Sequence, residues 1–207
     1  IDSKLTIESL VKDDIKIRYT DQDEWHFYIP VEKDFDFELI VQMGDVAFLI
    51  DTTGSMYSTV SGMAAEFSDI VTAVSGVLPK AEYGVATYDD YAYSPYGSVG
   101  MDKPFELLHQ ISSDISSIQS TLSSIPLHYG SDGPESGMEA LYQSLTGVGY
   151  DQNCNGNYDS TEDVKPFISS STDPFGGSGG QFQDASGTYA GGGDLGGYGF
   201  RPYALPV

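Results

Sequence analysis

"VAFLIDTTGSM" (residues 46–56) joins five apolar residues to a loop bearing an aspartate, two threonines and a serine. An unbroken apolar, β-rich run of this kind suits a central strand covered on both faces, as in a parallel sheet. Next, Met56, Val60, Met63, Ala64, Phe67, Ile70, Val71, Val74 and Val77 recur at helical spacing, and Pro79 ends the pattern. "EYGVATY" (82–88) reads as a second strand. Phe105, Leu108, Ile111, Ile115, Ile118, Leu122 and Ile125 recur every three or four residues, which predicts a second amphipathic helix with a Ser-rich outer face. "GSDGPESGMEALYQSL" (130–145) predicts a third, with Pro134 near its first turn and Met138, Leu141, Tyr142 and Leu145 facing inward. This alternation of strand and helix predicts an α/β fold built on an open, mostly parallel, doubly wound sheet.

The flanks differ. Residues 1–43 read as an N-terminal β segment, in which "IKIRY" (15–19), "WHFYI" (25–29) and "FDFELIV" (35–41) alternate with period two. So short a segment cannot bury a core alone. Residues 169–199 are rich in Ser and Gly without a period, which predicts a flexible loop within the domain of residues 44–207. "ALPV" (204–207) reads as the opening of a further strand. The expectation is a sheet incomplete in this chain, finished by residues downstream or by a second chain.

With 31 acidic against 9 basic residues the formal net charge is −22. Such a chain repels phosphate backbones and anionic membranes, so nucleic acid is excluded as a partner class. Excess carboxylate suits solubility at high salt or binding of hard cations. No run of 18 apolar residues is present, so direct membrane insertion is not expected. Cys154 is the single cysteine, and no internal disulfide can form.

Asp51, Thr53 and Ser55 sit at the end of the first core strand, where open α/β sheets bind their ligands. Oxygen side chains at alternate positions can converge on Mg²⁺ or Ca²⁺. The same residue types also cap helices, and the spacing alone does not choose between the two roles. From Asp45 to Leu145 the chain resembles von Willebrand factor type A domains. It is most similar to the A-type domain of integrin β subunits and its bacterial counterparts. The D-x-S-x-S of that family's metal-ion-dependent adhesion site reads Asp51-x-Thr53-x-Ser55 here, and "YDDYAYSPY" (88–96) and "SDGPESG" (131–137) resemble two further loops of that domain. The resemblance implies that Glu135 completes the first site. It also implies a neighbouring Ca²⁺ held by Asp90, Asp132, the Pro134 carbonyl and Glu135. Gly130 stands where the family has an asparagine, which weakens that second site. "YSTV" (57–60) lacks the carboxylate of a third.

"DQNCNGNYDSTE" (151–162) follows D-x-[DN]-x-[DN]-G-x₅-E without a gap. Asp151, Asn153 and Asn155 supply alternating oxygens, Gly156 permits the sharp turn, Asn157 offers its carbonyl, and Asp159 and Glu162 complete the set. The loop resembles EF-hand-type calcium loops, although Pro166 follows closely. Two asparagines in place of carboxylates imply weak affinity, in the extracellular range.

No G-x-S-x-G, P-loop or dinucleotide fingerprint is present, and His26, His109 and His128 form no visible triad, so an enzyme is not expected. His128 precedes "YGSDGPE" (129–135) and is expected to border the metal site. The leading expectation is an extracellular or cell-surface binding module whose cation bridges to an acidic group of a protein ligand. The alternative is a calcium-stiffened subunit of an extracellular assembly, with self-association or a second chain. A helper subunit of an ATP-driven metal chelatase shares the fold, but it would be intracellular and would not need the loop at Asp151.

Overall fold

The apolar run becomes β4 (Met43–Asp51), flanked by partners on both sides. In the computed structural model the described residues are 5–11, 14–19, 28–29, 43–128, 130–131, 133–177, 180, 191–202 and 204–207. They fall in two units, residues 1–40 and 41–207. In the first, β1 (Leu5–Val11), β2 (Asp14–Tyr19) and β3 (Tyr28–Ile29) form an antiparallel sheet. Residues 25–27 and the expected strand at 35–41 lie outside the described residues.

The larger unit is α/β. Its sheet runs β6-β5-β4-β7, with β5 at Lys80–Tyr88, β6 at Glu106–Ser112 and β7 at Leu205–Pro206. β5 and β7 pair parallel to β4, and β6 runs antiparallel along β5. Counted from β4, the order is 3-2-1-4, that of the first four strands of a doubly wound sheet, with the third antiparallel. β7 pairs with β4 at Gly44 and Asp45, and Asp51 stands at the carboxyl end of β4, the end at which open α/β sheets bind ligands.

Side-chain alternation divides the two faces. Val46, Phe48 and Ile50 point to the layer of α1 (Tyr57–Ser75) and α2 (Ile115–Ser123), against Val60, Phe67, Ile118 and Leu122. Phe67 is fully buried, edge-on to Phe48 at 5.8 Å and to Tyr83 at 5.8 Å; truncating it to alanine would cost about 3–5 kcal/mol. Ala47 and Leu49 face the other core, with Phe105, Ala140 of α3 (Gly137–Thr146) and Tyr198. Gly84 makes that core possible, since a Cβ there would stand 2.8 Å from the Tyr198 ring.

Three expectations are corrected. Phe105, Leu108 and Ile111 belong to a strand and its lead-in, and only Ile115–Ser123 is helix. Ser112–Asp114 divides them: Asp114 caps α2 by accepting from Ser117 N–H at 3.1 Å. α3 forms, but Met138, Leu141, Tyr142 and Leu145 face outward, and Ala140, Gln143 and Ser144 are its buried residues. The buried side can be polar because its groups are satisfied. The Gln143 amide donates to Gly149 C=O at 3.0 Å and accepts from Gly149 N–H at 2.9 Å, and Ser144 C=O accepts from Gly197 N–H at 2.8 Å. The Gly-rich stretch is not a loose loop where it is described. Residues 191–200 fold into hydrogen-bonded turns that bury Tyr198, whose hydroxyl donates to Phe48 C=O at 2.9 Å.

Arg201 then fastens β7's approach to the sheet. Its guanidinium donates to Asp45 at 2.7 Å, Glu82 at 2.8 Å and the carbonyls of Gly44 and Lys80 at 3.0 and 2.8 Å.

Candidate metal centre

Three segments meet beyond the carboxyl ends of β4 and β5. Asp51 closes β4, half-buried, and its Oδ1 accepts from Thr53 N–H at 2.9 Å and Thr53 Oγ1–H at 2.7 Å. Thr53 is buried, and Ser55 lies exposed in a 3-10 turn (Gly54–Met56) that leads into α1. Neither the turn nor α1 receives a side-chain cap. The Thr53 hydroxyl donates its proton to Asp51 and keeps its lone pairs, and the capping role that the spacing left open does not apply.

Asp51 pairs in register with Tyr88 of β5. Burial pushes the Tyr88 phenol above its ordinary pKa, and the nearby carboxylates of Asp51 and Glu135 push it further. Glu135 is half-buried just before α3, where the position of a Gly137 Cβ lies 3.6 Å from the Tyr88 ring. The charges of two carboxylates distant in sequence thus act on one phenol.

Asp90 is buried beside this group, and its Oδ2 accepts from Ser131 N–H at 3.0 Å. Gly130 adopts φ +66°, and a Cβ there would lie 3.0 Å from Asp90 Oδ2 and 3.3 Å from Thr53 Cγ2. An asparagine at 130 would be strained in this backbone and crowded by that carboxylate. Asp90, Gly130 and Thr53 are thereby neighbours. Pro134 is exposed, and Asp132 lies outside the described residues.

A second group backs the first. Thr52 points away from its two neighbours, as alternate residues of an extended segment do. Its hydroxyl donates to Asp89 Oδ1 at 2.5 Å, and its carbonyl accepts from His128 N–H at 2.9 Å. Asp89 Oδ2 meets His128 Nδ1 at 2.8 Å. Asp89, Asp102 and His128 each bring one ligand atom within 4.8 Å of the others. Burial raises the Asp89 pKa; Thr52 and His128 oppose the shift, and the Asp102 charge adds to it. Asp89 and Asp102 carry no spacing signal in the sequence, because the loop between them brings them together.

The 151–162 loop is wound around its own oxygens. Asp151 accepts from Asn155 N–H at 3.3 Å and Gly156 N–H at 2.7 Å, Asn153 Oδ1 from Asn155 N–H at 3.0 Å, and Asn155 Oδ1 from Asn157 N–H at 2.6 Å. Asp159 accepts from the Thr161 hydroxyl at 2.7 Å and amide at 2.9 Å, which hold its carboxyl below the usual range. Glu162 returns to the start of the loop and accepts from the Asn153 amide. Gly156 sits at φ +74°, as the sharp turn requires. α3 ends at Thr146, ahead of the loop, and among the described residues no helix follows it; a bridge between Tyr150 and Val164 closes its base. Sequence reading missed Asp163. It is buried and accepts from Gln152 N–H at 2.9 Å and Asp159 N–H at 2.6 Å, tying the two ends together.

No family model and no curated protein matches the chain. Among the described residues no helix is long and apolar enough to cross a membrane.

Proposed function

We propose that the chain is a metal-ion-dependent binding module of the von Willebrand A type. In this reading Asp51, Thr53, Ser55 and Glu135 hold Mg²⁺ or Ca²⁺, and Asp90 with Asp132, Pro134 and Glu135 holds a neighbouring Ca²⁺. The observation that carries it is the place of Asp51 at the carboxyl end of β4, in register with Tyr88, a phenol on which the charges of both Asp51 and Glu135 act. The donor set fits such an ion: every group is an oxygen, and Asp51 and Thr53 already share one locus at 2.7 Å. The exposed Ser55 leaves the ion within reach of solvent. The cation would supply a positive, water-exchangeable coordination position. A carboxylate from a protein ligand takes that position, and the partner is an acidic group on another protein at the cell surface or outside the cell. The chain's own residues orient the ion and perform no bond-making chemistry.

The loop at Asp151 acts beside this site as a Ca²⁺ clip, because its inward-turned oxygens and the Glu162 closure suit a large hard cation. Ordering a polar loop costs about 1–2 kcal/mol per residue in backbone entropy, which bound Ca²⁺ offsets.

The test is retention of random peptides on the immobilised chain with Mg²⁺ and Ca²⁺. Retained peptides should be enriched in Asp and Glu, and both EDTA and Asp51→Ala should release them. Retention indifferent to EDTA rejects the reading in favour of a calcium-stiffened structural subunit.

A further inference from the structure

We infer that Asp89, Asp102 and His128 form a separate binding site for a first-row transition-metal dication, zinc foremost. This goes beyond the oxygen-only site at Asp51 and is independent of it. Asp89 follows β5, Asp102 precedes β6 and His128 follows α2, so the fold itself assembles the group. Asp89 and Asp102 are each 3% exposed. Their ligand atoms and that of His128 lie within 4.8 Å of one another. Ligand atoms of a tetrahedral shell about 2.1 Å from one ion lie about 3.4 Å apart, so closure needs side-chain shifts of about 1 Å.

The pointer to a missing ligand is Asp102. Its Oδ2 accepts from Ser98 N–H at 2.8 Å. Its Oδ1 is buried and has no hydrogen-bond partner among the described residues. A buried carboxylate oxygen in that state calls for a partner, an ion or an ordered water. Charge points the same way. The adjacent Lys103 turns its ammonium to Glu106 at 3.4 Å, and the Arg201 guanidinium is engaged with Asp45 and Glu82. The imidazole of His128 faces both carboxylates, and a dication balances the group. One nitrogen with carboxylate oxygens suits Zn²⁺ over Ca²⁺ or Mg²⁺, which prefer oxygen alone. The His128 side chain is 20% exposed, which gives the ion a way in.

Zinc titration by calorimetry should be done on the metal-stripped chain carrying Cys154→Ser, so that the exposed thiol does not compete. One zinc per chain is expected. Asp102→Asn and His128→Gln should each weaken it by at least about a hundredfold, with Glu66→Gln, on the exposed face of α1, unchanged. Absence of stoichiometric zinc binding, or equal affinity in the two variants, overturns the inference. X-ray absorption at the zinc edge of the Cys154→Ser chain decides the matter if the variants do not fold. A shell with one imidazole and oxygens is expected, and an all-oxygen shell refutes it.

Discussion

Asp51 and Tyr88 stand opposite each other in the register of β4 and β5, and the Asp51 carboxylate helps hold the Tyr88 proton in place. The phenol therefore reports on the charge at the sheet's carboxyl edge. A cation bound by Asp51 and Glu135 would cancel the negative field and lower the Tyr88 pKa. Ring-labelled tyrosine NMR, with Tyr88→Phe for assignment, should show its titration moving to lower pH on adding Mg²⁺. Asp51→Ala should shift it the same way without metal. An Mg²⁺-insensitive Tyr88 would separate Asp51 from any cation. The variant also loses two hydrogen bonds to Thr53, costing about 1–2 kcal/mol, and should still fold.

In the 151–162 loop, Glu162→Gln should remove one Ca²⁺ from the calorimetric stoichiometry, whatever is done at Asp51. Gly156→Ala should weaken the same site, since alanine at φ +74° is strained by about 1 kcal/mol. Unchanged stoichiometry in Glu162→Gln would show that the oxygens serve only one another.

His109 predicts an acid-side loss of stability. It is buried, between Gln110 C=O at 2.7 Å and Ser117 Oγ at 2.8 Å, and burial holds its pKa below the ordinary value. Below the unfolded pKa of about 6.5, the unfolded chain takes up a proton that the folded chain resists. The contribution is complete above that pH and is lost as pH falls through the window down to the folded pKa. Urea midpoints between pH 7.5 and 5 should fall less steeply in His109→Gln than in the unsubstituted chain; parallel slopes would contradict this.

Arg201→Met leaves Asp45, which is fully buried, without its cation. Denaturant unfolding should show a loss of about 3–5 kcal/mol. A change below about 1 kcal/mol would mean that Arg201 is peripheral.

Much of the α/β core was legible because one periodicity governs each element. β4 is an unbroken apolar run, and α1 keeps a 3.6-residue stripe from Val60 to Val74. The Phe105–Ile125 stretch misled because its apolar residues recur every three or four positions through both a strand and a helix. Only the Asp114 cap marks the join. α3 misled because burial followed packing partners. A backbone that approaches closely selects Ala140 and Ser144 and leaves Leu141 and Leu145 outside. Asp51, Thr53 and the Asp151 loop drew notice because their oxygen side chains lie close together in sequence. Asp89, Asp102 and His128 were not, since tertiary structure alone unites them, and Asp163 gave no signal because it lies one residue beyond the calcium-loop pattern.

A cation at the carboxyl edge of the sheet can be located by anomalous scattering from crystals grown with Mn²⁺ in place of Mg²⁺. A peak is expected about 2.1 Å from oxygens of Asp51, Ser55 and Glu135. A map with Mn²⁺ elsewhere and none at Asp51, its carboxylate still bonded only to Thr53, would contradict it.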